Sequence, residues 1–180
     1  YFLDDHLLGH PRFASALFEG MRGMGRLFQG AATVASVLKG DVIEQAVNAR
    51  LRSLFIGFET FNPQNLLHAN KKQNKIDDYH AAIKRLNELG VMVNGSFVFG
   101  LDNDDESVFK QTVDWAVDKG LTTATFHILT PYPGTALFSD MLQSGRIISR
   151  NWDRYNTREV VYQPTQLSVE QLKKGYDQAY

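Results

Sequence analysis

What most constrains this chain is a repeat: short apolar runs separated by amphipathic stretches of helical period. Five runs read as strands, namely Tyr1–Leu3, Leu27–Ala32, Ser53–Phe58, Val91–Phe99 and Thr122–Leu129. Several are apolar almost without a break, as expected of strands buried on both faces of a parallel sheet. The stretches between them are long enough for the crossovers that parallel neighbours need. Phe13, Leu17, Phe18 and Met21 form one helical stripe behind Pro11, and Val42, Ile43, Ala46 and Val47 form a second. Ile76, Tyr79, Ile83, Leu86 and Leu89 recur at spacings of three and four and stop at Gly90, leaving Asp77, Asp78, Lys84, Arg85 and Glu88 for solvent. A fourth helix is predicted from Asn103, with Glu106 as its capping-box partner. It would carry Val108, Phe109, Thr112, Val113, Ala116 and Val117 inward and end at Gly120.

Alternating strands and helices imply the α/β class, with right-handed crossovers. An open doubly wound sheet and a barrel both fit. Gly23, Gly25 and Gly30 lie around the start of the second strand, not after its end, so the dinucleotide-binding fingerprint is missing and a barrel is preferred. After Leu129 the pattern changes. A Pro/Gly turn leads to a helix over Ala136–Leu142, then an irregular stretch, then a helix opened by Ser168 with Gln171 as its capping partner. Residues 1–135 are expected to form the partial barrel and 136–180 an extension packed on its outside or rim. The chain opens inside an apolar run and stops inside a helical pattern, so a segment of a longer protein is expected, with the extension truncated.

Composition narrows the function. With 19 basic and 20 acidic residues and a formal charge of -1, the chain lacks the basic excess of a phosphate-neutralising nucleic-acid binder. Lys71, Lys72 and Lys75, its densest basic spot, read as a solvated approach to a helix. No apolar stretch approaches the roughly 20 residues of a membrane span, and a cytoplasmic location is the default expectation. Cysteine is absent, which excludes disulfides, thiolate nucleophiles and cysteine-ligated metal within these 180 residues.

In α/β barrels ligands lie at the carboxyl ends of the strands. There the five runs deliver Asp4, Asp5 and His6; Thr33 and Ser36; Glu59 and Thr60 after Gly57; Gly100, Asp102, Asn103 and Asp104; and Thr130 followed by Pro131, Tyr132, Pro133 and Gly134. Glu59 ends an apolar strand, where a charge needs a partner or ligand. Asp102 to Asp104 equally suit a helix cap. Asp4, Asp5 and His6 suit a turn, or a metal site without a fixed further partner. Gly57 and Gly100 admit close approach to the backbone, for instance by adenine, and the two prolines stiffen the rim beside Tyr132. His127 reads as a hydrogen-bonded strand residue, His68 and His80 as surface or helix-packing groups, Trp115 and Trp152 as packing residues. There is no Ser-His-Asp set and no phosphate-binding loop. Glu59 and Asp5 leave a glycosidase-like barrel hydrolase open as an alternative. A noncatalytic interaction domain, with remote strand-end acids and a shallow or filled pocket, is a third reading.

Four segments in register carry a family resemblance: Phe2-Leu3-Asp4-Asp5, Phe55-Ile56-Gly57-Phe58-Glu59-Thr60, Gly95-Ser96-Phe97-Val98-Phe99-Gly100-Leu101-Asp102 and Thr130-Pro131-Tyr132-Pro133-Gly134-Thr135. They resemble successive strand ends of radical S-adenosylmethionine enzymes. The likeness extends over essentially the whole chain. Asn103 to Phe109 and the tail Arg146–Pro164, with Asn151-Trp152-Asp153 and Val160 to Pro164, resemble the branch with an upstream cobalamin-binding domain.

The resemblance implies a partial (βα) TIM-like barrel of which this chain supplies five of six βα units. It implies a [4Fe–4S] cluster held by a three-cysteine loop ahead of Tyr1, and S-adenosylmethionine cleaved to a 5′-deoxyadenosyl radical. By position, Asp4 and Asp5 would meet the cofactor's amino group, although the usual glycine-glycine-glutamate form is replaced here by Leu3-Asp4-Asp5. Glu59 would contact the ribose or methionine part. Phe99, Gly100 and Leu101 would lie along the adenine, and Thr130, Pro131 and Tyr132 would form another wall, as would Pro133. Further expectations are cobalamin bound through an upstream domain, methyl transfer to a small-molecule substrate, and an electron donor such as flavodoxin or ferredoxin. The isolated segment is expected to be inactive.

Overall fold

The computed structural model describes residues 1–62, 64–65 and 76–180. His68 and the Lys71, Lys72 and Lys75 run lie outside the described residues, as does the side chain of Ile76. The elements are α1 (Pro11–Met21), β1 (Phe28–Ala32), α2 (Val34–Leu38), α3 (Val42–Asn48), β2 (Leu51–Glu59), α4 (Ile76–Glu88), β3 (Met92–Phe99), α5 (Ser107–Asp118), β4 (Thr123–Ile128), α6 (Ala136–Gln143), a 3-10 turn (Trp152–Arg154) and α7 (Val169–Gln178). The strands form one four-stranded sheet in the order β1-β2-β3-β4. β1 and β2 pair in parallel, with Gly30 opposite Leu54 and Ala32 opposite Ile56. Sequential order with a helical crossover between neighbours is the βα repeat expected of a barrel wall.

One expected strand is not formed. Tyr1–Leu3 has no strand ladder; Phe2 N–H donates to Gln29 O at 2.9 Å, and the chain turns at once. Asp4 enforces that turn by accepting the His6 N–H at 3.0 Å.

Contacts divide the chain into two compact units. The first comprises, among the described residues, 1–59, 76–96 and 116–125. Its core is Ala14 and Phe18 of α1, Val42, Ile43 and Ala46 of α3, Leu54, Ile56 and Phe58 of β2, and Tyr79, Ile83 and Leu86 of α4. Full burial of each large apolar side chain stabilises by about 1.5–3 kcal/mol before entropy is counted. Tyr79 is wholly buried and satisfied, its hydroxyl donating to Phe58 O at 2.7 Å. Two expectations fail here. Phe13 is 63% exposed, because Ala14 and Phe18 set the buried stripe of α1. Arg85, expected in solvent, is half-buried and donates to Glu44 Oε1, Val37 O and Gly40 O, fastening α4 to α2 and α3.

The second unit comprises residues 60–69, 97–115 and 126–180, the masked positions aside. Phe97, Phe99 and Phe126 stack in series, with Phe61 and Trp115 closing on Phe97 and Phe109 on Phe99. Trp115 therefore packs as expected, while Trp152 is 55% exposed and touches Phe138 and Tyr155. The α7 capping box of Ser168 and Gln171 is present. The box expected at Asn103 and Glu106 is not. The helix begins at Ser107, whose N–H is taken by Asp105 Oδ1 at 2.9 Å. Asn103 N–H is instead taken by Asn65, and Glu106 accepts from Gln171. Val117 is 75% exposed, not inward.

Candidate functional site

In the first unit, the ends of β1 and β2 and the residues preceding α1 surround a hollow of about 350 Å³. Asp4, Asp5, Thr33, Gly57 and Glu59 line it, together with Tyr1, Leu3, Ala31, Ala32 and Phe55. Three carboxylates, the hydroxyl-bearing Tyr1 and Thr33, and no Lys or Arg among its lining give a concavity suited to a cationic, hydroxyl-bearing ligand. Ala31 and Ala32 keep the floor low, because larger residues at the end of β1 would fill it.

The three acids are held differently. Asp4 spends one oxygen on the His6 turn. Asp5 is exposed and makes no hydrogen bond with a described residue. Glu59 stands in the left-handed region, with φ of +67°, where a residue with a Cβ is strained by about 1–2 kcal/mol. That backbone turn folds its side chain over its own strand, and a Cβ at Gly57 would stand 2.6 Å from Glu59 Oε1. Gly57 does allow a close approach, as its position suggested, but the atom approaching is the Glu59 carboxylate. His6 leans the other way, pairing its Nε2 with Thr33 Oγ1 at 3.3 Å. Among the described residues no group of three or more His, Asp or Glu is placed to hold a metal ion, so Asp4, Asp5 and His6 gain no further ligand.

The second unit holds the other expected residues. Gly100 follows β3 with φ of +93°. Its N–H and that of Leu101 both donate to Asp104 Oδ2 at 3.0 Å, its carbonyl accepts from Tyr162, and Leu101 O accepts from Asp104 N. The place of a Gly100 Cβ is taken by Tyr162 and Leu172. Asp102 accepts from Arg146 and from Thr165, each at 2.7 Å. Asp102 and Asp104 thus tie a turn together and do not cap α5. Asp104 is 2% exposed. Burial pushes its carboxyl up to about 6, although the N–H groups of Leu101 and Gly100 and the Asn65 amide pull the other way. Burial, and then the neighbouring Asp104 charge, drives the Tyr162 hydroxyl far up as well, so it stays a donor. Thr130 is buried and donates to Ile128 O at 3.0 Å; Pro131 is buried and Tyr132 47% exposed. His127 pairs with Thr157, as a strand histidine should.

Sequence reasoning missed Tyr162. Its signal was the apolar run Val160, Val161, Tyr162 inside an otherwise polar tail, and all three are buried.

No protein-family model matches the chain. Among curated proteins, the bacteriochlorophyllide d C-12(1)-methyltransferase of Chlorobaculum tepidum is 31% identical over 97% of this chain and 38% of its own length. The bacteriochlorophyllide d C-8(2)-methyltransferase of the same organism is 26% identical over 77% of this chain and 32% of its own length. The chain therefore spans well under half of these relatives. Among solved structures, the radical S-adenosylmethionine methyltransferase TsrM of Kitasatospora setae, described with cobalamin and a [4Fe–4S] cluster bound, superposes with a TM-score of 0.67 at 13% identity, over 78% of this chain and 29% of its own. The fold is that of the radical S-adenosylmethionine enzymes. By sequence most relatives of this chain are named as methyltransferases, and its fold neighbours include radical S-adenosylmethionine enzymes, one of them described with cobalamin. The resemblance carried by the four strand-end segments pointed to the same group.

Proposed function

We propose that this chain is the part of a radical S-adenosylmethionine methyltransferase that binds the organic end of S-adenosylmethionine. The observation that carries the reading is the convergence of Asp4, Asp5, Glu59 and Thr33 on one hollow. A sulfonium and an ammonium are both cations, and carboxylates in a concave site attract them through a field that bulk water screens less. In this reading Asp4 and Asp5 receive the ammonium. Glu59 and Thr33 hydrogen-bond the ribose hydroxyls or the methionine portion.

The donor set fits the cofactor and does not fit the cluster. A [4Fe–4S] cluster requires thiolates, and these 180 residues contain none, so its ligands would come from elsewhere in the protein. Bound together, cluster and S-adenosylmethionine supply a 5′-deoxyadenosyl radical, and cobalamin supplies a transferable methyl group. The residues of this chain bind, orient and shield; the demanding chemistry belongs to the cofactors. A small-molecule substrate and a flavodoxin- or ferredoxin-like electron donor complete the scheme.

The hydrolase alternative also calls for Asp5 and Glu59 in one hollow, but nothing in the relatives or the fold favours it. A noncatalytic module called for acids far apart, and here three share one cavity. The deciding assay is release of 5′-deoxyadenosine from S-adenosylmethionine by the whole protein, reconstituted without oxygen under a strong reductant. Release is expected; a reconstituted cluster with no release would sink the reading.

A further inference from the structure

Thr33 is shared by two cavities of the first unit. One is the hollow already described, with three carboxylates in its lining. The other, of about 200 Å³, is lined by His6, Gly9, Ser36 and Lys39 among others, and by no acid. His6 is held there from several sides. Leu7 N–H donates to Ala31 O at 2.9 Å, and the Leu7 side chain takes the place of a Cβ at Gly30, so the segment is fastened to β1. A Cβ at Gly9 would stand 2.8 Å from His6 Nδ1, so the ring folds back there only because residue 9 is glycine. Its other nitrogen, Nε2, lies 3.3 Å from Thr33 Oγ1.

The hydrogens around Thr33 leave two arrangements. Ser36 Oγ donates its one hydrogen to Thr33 O at 2.8 Å. Thr33 Oγ1 accepts the Ser36 N–H at 3.2 Å and keeps one hydrogen and one further lone pair. With a hydrogen on His6 Nε2, that lone pair is filled by the ring. With Nε2 bare, the Thr33 hydrogen goes to the ring and the lone pair remains for the hollow. An acceptor is what a concavity suited to a cationic, hydroxyl-bearing ligand calls for.

We propose that His6 is a positioning residue: its Nε2 takes the Thr33 hydroxyl hydrogen, so that Thr33 meets a hydroxyl or ammonium of the ligand as an acceptor. The inference rests on the reading of the chain as a binder of S-adenosylmethionine, and it adds a residue that acts through Thr33 without touching the ligand.

The test is titration of the whole protein with S-adenosylhomocysteine. His6→Leu is expected to weaken binding about tenfold, the scale of one hydrogen bond. Gly9→Ala, which displaces the ring without changing it, should weaken binding about as far. In a Thr33→Val background the His6→Leu loss should vanish, because the residue it acts through is gone. His6→Gln keeps an acceptor and cannot titrate, so it should bind like wild type at about pH 8. Imidazole takes up its proton between about pH 8 and pH 5, so wild type should lose affinity over that range relative to His6→Gln. Asp4, Asp5, Glu59, Lys39 and Tyr1, the other titratable groups of the two linings, are common to both proteins. Losses that simply add in the double variant, or identical pH profiles for wild type and His6→Gln, would overturn the proposal. If the leucine and valine variants do not fold, the comparison of those two profiles decides it alone. Failure of the wild type to bind at all overturns the cofactor reading itself, and this inference with it.

Discussion

The Glu59 carboxylate rests on the bare Cα of Gly57, so near that any Cβ there would meet Oε1 at 2.6 Å. A residue without a side chain thereby fixes where a charged one points. Gly57→Ala should drive the carboxylate off its strand and weaken S-adenosylhomocysteine binding about as far as Glu59→Gln does. Calorimetric titration of the whole protein checks this, and an alanine variant binding like wild type would separate the two residues.

Glu59 is strained as well as aimed, since its φ of +67° suits glycine better than any residue with a Cβ. Glu59→Gly and Glu59→Ala should therefore weaken ligand binding equally, while the glycine variant is the more stable of the pair by about 1 kcal/mol. Denaturant unfolding of the two variants reads this directly. Equal stabilities would show that the backbone relaxes when the side chain is gone.

Asp104 should make stability depend on pH. Its folded carboxyl is raised to about 6 from 3.8. The native state therefore binds its proton more readily than the unfolded chain does, so this contribution is fully present below about 3.8 and lost as pH rises through about 6. Asp105, Tyr162, Arg146 and Asp102 also face this network, so the comparison must be with Asp104→Asn. Wild type should gain about 1 kcal/mol on that variant between pH 7.5 and pH 5. A constant difference would mean that Asp104 is ionised across the range.

Gly175 packs against Phe109, where a Cβ would lie 2.1 Å from the ring. Alanine is the better helix former by about 1 kcal/mol, yet Gly175→Ala should lower stability by about 1–3 kcal/mol, because overpacking between α5 and α7 outweighs propensity. A raised melting temperature would refute this.

Most of the wall was legible because buried parallel strands have a plain signature. β2, β3 and β4 fall where Leu54, Phe97 and Phe126 announced them, and α4 follows its Tyr79, Ile83 and Leu86 stripe. Tyr1–Leu3 misled because apolar composition does not by itself make a ladder; the Asp4 turn comes too soon. Asn103 misled because a capping box and a tied turn use the same residue types, and only the position of Asn65 decides between them. The hollow was legible residue by residue, since Asp4, Asp5 and Glu59 each follow an apolar run. What holds these groups was not, because the partners of Gly57 and Gly100 are set by side-chain direction and by contacts distant in sequence.

The bond from Tyr162 to Gly100 joins residues 62 positions apart. Loop closure over such a span is slow compared with local helix formation. On the ribosome, β3 and α5 are made well before the residue that finishes the turn between them. Until then that turn is held without Tyr162, by Asp104 with Asn65 behind it.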